Sequence, residues 1–392
     1  MTSENLEYAM FSREEMESRY ARARKLMDHR GIDALFVSGE ENFQYLAGTT
    51  ASIALHHSLT RPSVFILPLD AEPIIVTQGR ANLALGSYVA DVRDYADILN
   101  FPHKVVLATL RDTGLHDKRL GVELGQEQRM GLPAGAYGDL VEALPQAEFA
   151  DAADILIGLR MVKSGEELAY IRKAADITGR ARQRLFDQVK PGMTEREVAR
   201  LTRQLILEEG GDRTAYVIFQ LGIPGSGNPF HYDRPLKEGT ILALDTGAYV
   251  GMYTIDYPRM ATLGQATDEQ RRVHRAALRV DEKMAAALRP GVRCSALYRI
   301  GLEAIAETRS ELGELEQLPG SRMGHGQGML VTEPPSICPE DHTVLEAGMV
   351  ISTEPGVQWG DVQYLWENVH VITEDGHEQL TLETDKLREI PW

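Results

Sequence analysis

The chain has 392 residues, 43% of them hydrophobic and 25% charged, with a formal net charge of −17 at pH 7. That length exceeds what one core usually serves, so two domains are expected in a protein of soluble, globular composition. The acidic balance argues against a nucleic-acid backbone or an anionic membrane surface as partner. Only Cys294 and Cys338 occur, which suits a reducing cytoplasm and leaves neither a disulfide framework nor clustered thiols for zinc. No apolar run approaches the roughly 18 residues of a membrane span. The first residues lack the basic start and apolar stretch of a signal peptide.

In chain order, Ser12 and Glu15 predict a capping box that opens an amphipathic helix through Arg30. Asp33–Gly39, Arg61–Asp70, Glu72–Gln78 and Arg119–Leu124 read as strands and Gly138–Leu144 as helix, an α/β alternation. No Gly-rich phosphate loop of standard spacing is present, so nucleotide binding is not expected. This first domain is placed at residues 1–158 and the second at 159–392. The second opens with Met161-Val162-Lys163-Ser164. Ser164 with Glu167, Thr194 with Glu197, and Thr267 with Gln270 predict three capped helices. Leu168, Ile171, Ala174, Ala175, Thr178 and Leu185 mark the inner face of the first. A shorter helix is expected from about Ser295. Thr214–Leu221 reads as a strand, Gly222–Pro235 as a loop, and the chain beyond residue 318 as short strands. The second domain therefore reads as α+β, with long helices on one side of an antiparallel sheet.

Inside that sheet, Ile241–Gly264 reads as a hairpin turning at Val250-Gly251. Cross-strand partners would then have numbers summing to 501, a condition that Asp245 and Asp256 meet. Two carboxylates about 5 Å apart cannot both stay ionised cheaply in a partly dry site. A shared proton, a basic side chain or a metal cation would resolve the conflict; a shifted turn with both residues in water would avoid it. Three further stretches carry candidate ligands. His325 lies between glycines in Gly324–Met329, Glu354 ends the strand Gly348–Val357, and Glu367 sits among Leu365, Trp366, Val369 and Val371. A charged residue in such an apolar strand costs free energy unless paired or ligating. Singly, each has an ordinary reading: a loop histidine, a solvated strand end, an arginine partner. Together, oxygen ligands with one imidazole suit divalent Mn, Co, Zn or Fe. Four carboxylates exceed what one ion needs, so two ions are expected, an arrangement that activates water for hydrolysis.

These residues resemble the site of the creatinase/prolidase/aminopeptidase P family of "pita-bread" metallopeptidases. Asp245, a second Asp eleven residues on, His325 in a GHG loop, Glu354 before Pro-Gly, and Glu367 stand in the family's order. Asn42–Gly48 is similar to a signature of its N-terminal domain. The resemblance implies an α/β N-terminal domain followed by an α+β pita-bread domain, a curved antiparallel sheet covered by long helices. It implies that Asp245 binds one metal, Asp256 and Glu367 bridge two, and His325 and Glu354 bind the other. Glu354 would also deprotonate the bridging water, and His231 would contact substrate or its developing oxyanion. Xaa-Pro peptidase activity, of aminopeptidase P or prolidase type, is the implied reaction. The implied assembly is a homodimer in which the N-terminal domain of one subunit reaches the other's site; His56, His57 and Arg61 are candidates for that contact, with surface or hinge positions as their ordinary reading.

The sequence also departs from the family. Thr332 stands where a second histidine is usual, Pro258 replaces a threonine, and Leu365 replaces an arginine. The substrate-holding shell thus differs, which leaves open a small non-peptide substrate of creatinase, ectoine hydrolase or dimethylsulfoniopropionate lyase type. Thr332 and Tyr257 are taken as substrate contacts; Tyr257, Trp359 and Trp366 could form an aromatic cage for a cation, with burial in the core as the ordinary use of each Trp. A non-catalytic binding module on the same fold is the third reading; the complete ligand set argues against it.

Overall fold

A computed structural model describes residues 6–50, 61–83, 85–221, 232–313, 316–317, 322–359, 362–381 and 386–392. The chain divides into two compact units, Met1–Arg160 and Met161–Trp392. The first contains α1 (Arg13–Arg30), β1 (Ala34–Val37), α2 (Glu40–Ala47), β2 (Val64–Pro68), β3 (Ile74–Thr77), α3 (Arg80–Leu83), β4 (Asp91–Asp94), α4 (His103–Asp112), β5 (Arg119–Val122), α5 (Ala134–Ala143), β6 (Glu148–Asp151) and α6 (Ala153–Met161). Its strands form one mixed sheet in the order β4-β3-β2-β1-β5-β6, with β1 antiparallel to β2 and parallel to β5. Every residue of β1, β2 and β3 is buried, as expected of strands covered on both faces. The predicted box at α1 is half formed: Ser12 accepts from the Glu15 amide, but the Glu15 carboxylate turns to Arg19 instead. In the stretch singled out from the sequence, Asn42 donates at 2.7 Å to Glu123, whose other oxygen accepts the Ser38 and Gly39 amides. Burial nonetheless raises the Glu123 pKa.

The second unit contains α7 (Gly165–Gln188), α8 (Glu195–Glu208), β7 (Arg213–Gln220), β8 (Ile241–Val250), β9 (Tyr253–Thr254), β10 (Arg259–Leu263), α9 (Asp268–Ala285), α10 (Cys294–Leu312), β11 (Glu316–Gln317), β12 (His325–Gly326), β13 (Glu333–Ser336), β14 (Val350–Thr353), β15 (Val357–Trp359), β16 (Val362–Tyr364), β17 (Asn368–Ile372), β18 (His377–Gln379) and β19 (Arg388–Ile390). Helices α7, α8 and α9 each begin with the complete reciprocal capping box predicted for them. The helix expected to be shorter is not: α10 has 19 residues against 18 in α9. The strands form two five-stranded sheets, β19-β10-β8-β7 with β9 on β8, and β13-β12-β14-β17-β18, besides the small β11-β15-β16. Val273, Ala277, Val280 and Met284 of α9 share a core with Ile241, Ala243, Met260 and Ile351 of both larger sheets. Full burial of each large apolar side chain among them contributes about 1.5–3 kcal/mol.

The hairpin departs from expectation in its turn. Val250 pairs with Tyr253 and Leu244 with Arg259, so the turn is Gly251-Met252 and partners sum to 503. Asp256 therefore lies opposite Gly247 in register, not opposite Asp245. The shift changes the sum by two, so side-chain alternation is retained and both aspartates keep a common face. At Gly247 the returning chain comes so close that a Cβ would lie 1.5 Å from the Ile255 carbonyl oxygen. Only glycine admits that approach. Gly247→Ala is expected to cost about 3 kcal/mol or more in urea unfolding of the metal-free protein; a loss below about 1 kcal/mol would contradict the contact.

Candidate metal centre

Five strand-end or mid-strand positions bring the acidic residues together. Asp245 lies mid-strand in β8, and Asp256 in the short break between β9 and β10. His325 is the first residue of β12, Glu354 follows the last residue of β14, and Glu367 precedes the first of β17. The apolar strand expected around Glu367 is thus interrupted between β16 and β17, and Glu367 sits in the interruption. Gly324 makes the approach of β12 to β14 possible: it has φ +145°, and a Cβ there would lie 2.1 Å from the Ser352 carbonyl oxygen. The His325 amide then donates to Ser352 Oγ at 3.0 Å.

Ligand atoms of Asp256, His325 and Glu367 all lie within 4.8 Å of one another. His325 Nε2 is 3.7 Å from Glu354 and 4.0 Å from Glu367. Asp245 joins through Tyr216, whose hydroxyl lies 2.9 Å from an Asp245 oxygen and 2.5 Å from an Asp256 oxygen. Asp256, His325 and Glu367 are buried, whereas the Glu354 side chain keeps 23% of its surface exposed. His325 Nδ1 faces the Gly326 carbonyl at 3.0 Å. A carbonyl only accepts, so Nδ1 carries the proton and Nε2 presents its lone pair to the carboxylates.

The neutral donors around this cluster are too few. Gln327 Nε2 donates to Glu367 and to the Asp256 carbonyl, each at 2.9 Å, and its oxygen accepts the Asp256 amide. Asp245 Oδ1, Asp256 Oδ1 and Glu367 Oε2 remain buried without a partner among the described residues. Burial pushes Asp245 up to about 6; burial and then the charge of Asp245 push Glu354 up to about 7. Burial, with neighbouring carboxylates next, holds Asp256 and Glu367 well above the usual carboxylate range. Burial, then the Arg322 cation, lowers His325 to about 3, so its ring is neutral. Buried carboxylates of Asp256 and Glu367 gathered at a neutral imidazole, with oxygens left unpartnered among the described residues, fit a divalent cation.

Other expected site residues fall differently. His231, His56 and His57 lie outside the described residues. Arg61 is half-buried in the first unit. Thr332 is half-buried, and its Oγ1 accepts from Arg322 at 3.0 Å. Tyr257 does not join the cluster and is corrected as a substrate contact. Its ring points away from Asp256, is buried between the Arg182 and Arg259 guanidiniums at 4.2 and 4.8 Å, and its hydroxyl donates to Ala175 on α7. Trp366 is likewise buried, covered by Arg259 at 4.1 Å, and Trp359 donates to Glu269. No aromatic cage is available from these three. Tyr216, Gln327 and Arg322 escaped the sequence reading; strand alternation around Tyr216 and the polar Gln327 inside GHGQGM were the available signals.

Cation binding requires these carboxylates ionised, so it competes with protons. Raised carboxylate pKa values mean that the metal-free fold loses stability as pH climbs from about 4 through about 7. The lowered His325 value acts oppositely, adding stability as pH rises toward 6.5 and nothing above it. The increase in melting temperature on adding Mn(II) is therefore expected to be larger at pH 8 than at pH 5.5; equal increases at both would contradict this electrostatic account.

The family model for metallopeptidase family M24 matches residues 169–374, and that for the creatinase/prolidase N-terminal domain matches residues 19–162. The Xaa-Pro dipeptidase of Pyrococcus furiosus is 27% identical over 375 residues, covering 93% of this chain and 98% of its own. That of Lactobacillus delbrueckii subsp. lactis is 27% identical over 377 residues, covering 93% and 97%. Among solved structures, the Xaa-Pro dipeptidase from Bacillus anthracis superposes with a TM-score of 0.82 at 21% identity, over 95% of this chain and 99% of that one. The dipeptidase PepE from Mycobacterium ulcerans gives 0.79 at 26% identity, over 97% and 100%. The acidic cluster thus lies within a span that the M24 model covers from before α9 to beyond Glu367, and the chain belongs to metallopeptidase family M24, with a creatinase/prolidase N-terminal domain ahead of its catalytic unit.

Proposed function

We propose that this protein is a dinuclear metal-dependent hydrolase of short peptides, with Xaa-Pro dipeptides as its first substrate class. The observation that carries the reading is the gathering of buried ligand atoms of Asp256, His325 and Glu367 within 4.8 Å of one another, with Asp245 Oδ1, Asp256 Oδ1 and Glu367 Oε2 left without a partner among the described residues. Asp245 would hold one ion, Asp256 and Glu367 would bridge to a second, and His325 with Glu354 would complete the second. Two divalent ions, Mn, Co, Zn or Fe, would polarise the scissile carbonyl and acidify the attacking water. Glu354 is the proton carrier: its side chain keeps 23% of its surface exposed, and burial with the neighbouring Asp245 charge raises its pKa to about 7 in the metal-free state. It takes a proton from the water and returns one to the leaving nitrogen. His231 is proposed to contact substrate from outside the described residues. The relatives named Xaa-Pro dipeptidase support the substrate class.

Arg322 supports a substrate with an anionic end. Its guanidinium reaches Thr332, the position where the family usually has histidine, and among the described residues it makes no ion pair. Its charge is felt by Asp256, His325 and Glu354. A cation with one neutral partner beside two divalent ions favours an incoming carboxylate, such as the terminus of a dipeptide. The cation-cage alternative loses its support, since the candidate rings already stack on Arg182 and Arg259. Two free cysteines fit a reducing cytoplasm, and homodimerisation is carried over as part of the same proposal.

Chelator treatment is expected to abolish proline release from Xaa-Pro dipeptides, and Mn(II) or Co(II) to restore it. Asp256→Ala and Glu367→Ala are each expected to lower kcat/KM by at least about a thousandfold and to reduce bound metal per chain. No turnover of Xaa-Pro dipeptides or longer Xaa-Pro peptides by fully metal-loaded protein would remove the reading. Arg322→Gln is expected to raise KM for dipeptides about 10–100-fold, the loss typical of one charge-assisted contact. Its KM for the carboxyl-amidated substrate should be unchanged; an equal rise for both would assign Arg322 elsewhere.

A further inference from the structure

Strands β14 and β17 are paired antiparallel, and their last rung joins Thr353 to Asn368. Glu354 and Glu367 are the next residues outward, where the ladder has ended and no backbone pairing fixes the gap between them. One buried carboxylate grips that final rung from outside the sheet. Asp281, on α9, accepts from Thr353 Oγ1 with one oxygen and from Asn368 Nδ2 at 2.7 Å with the other. We propose that Asp281 is a positioning residue of the metal centre, holding Glu354 and Glu367 at a set separation through the residues adjacent to each. This rests on the reading of both glutamates as metal ligands.

The surrounding bonds leave the clamp little freedom. Asn368 Oδ1 accepts from Arg259 at 2.8 Å and from Thr381 at 3.0 Å, so the amide cannot turn its nitrogen away from Asp281. Arg259 also donates to the backbone carbonyl of Glu367 at 2.5 Å. Asp281, Thr353, Asn368 and Arg259 are all buried, with exposures of 3%, 0%, 5% and 3%. On α9 the neighbouring inward positions are Val280, Ala277 and Met284, and a leucine would serve that packing without the cost of burying a charge. Opposed donors on both oxygens are what a clamp requires. Partners beyond a ligand's own contacts tune metal affinity by about 10–100-fold in known sites.

The test uses the full-length protein stripped of metal and titrated with Co(II), followed by visible absorption. Asp281→Asn keeps the shape but presents a donor to the Asn368 amide; Thr353→Val removes the other hydrogen bond and carries the test if the first variant fails to fold. Both are expected to bind Co(II) about 10–100-fold more weakly and with a shifted absorption band, while Thr353→Ser retains the wild-type affinity and band. A residue that only anchors α9 would lower the melting temperature in chelator and leave affinity and band unchanged, and that result overturns the proposal. Glu367→Gln separates the two readings. If it binds Co(II) like the wild type, the ligand assignment falls and the positioning role with it. If it binds weakly while the Asp281 and Thr353 variants bind normally, only the positioning role falls.

Discussion

Four carboxylates held around one imidazole, mostly out of water, repel one another, and the rest of the second unit keeps them there. In a medium of low effective dielectric the cost of ionising adjacent acids rises steeply. The chain answers it only in part, with single donors from Tyr216 and Gln327. What remains is an unsatisfied arrangement of a kind that suits a divalent cation. It is held by two sheets sharing one core with α9 and α10.

The opposite side of the same strand carries the complementary charge. Arg182 reaches from α7 to the Tyr257 carbonyl at 2.7 Å, and Arg259 binds the Pro258 and Glu367 carbonyls. Both stack on Tyr257, one residue from Asp256. Arg182 is among the groups that lower the Asp245 pKa. Buried cations behind the sheet and buried anions in front of it belong to one electrostatic design, with Tyr257 as the insulating layer between them.

Of the five proposed ligand positions, His325 and Glu367 stood out through contexts that made solvation implausible, glycines about the one and apolar neighbours about the other, whereas Asp245, Asp256 and Glu354 stood out only in combination with them. Capping boxes at Ser164, Thr194 and Thr267 were legible because they are decided within four residues. Ser12 shows the limit, since Arg19 competes for the Glu15 carboxylate from one turn further on. The hairpin register was misread by one turn residue because Val250-Gly251 and Gly251-Met252 are both plausible turns locally. Asp281 could not be found this way, and Tyr216 only through the alternation of its strand. A tyrosine in a strand and an aspartate in an amphipathic helix look ordinary until tertiary folding supplies their partners. Tyr257 misled for the converse reason: an aromatic ring near a site reads as available, and only the packed structure reveals the two arginines against it, whereas Trp366 takes the core burial that is its ordinary reading.

The close crossing at Gly247 and the Gly251-Met252 turn have a consequence for how relatives of this chain can vary in length. Adding one residue within a strand segment between the two aspartates would swing one of them to the helix-facing side, next to Arg182, and dismantle the cluster; adding two would restore both. Insertions within these strands should therefore come in pairs or be absorbed by a bulge, whereas the Gly251-Met252 turn can lengthen without moving either aspartate. The eleven-residue interval between the aspartates is thus a rule about evenness of insertion within the strands as much as about reach.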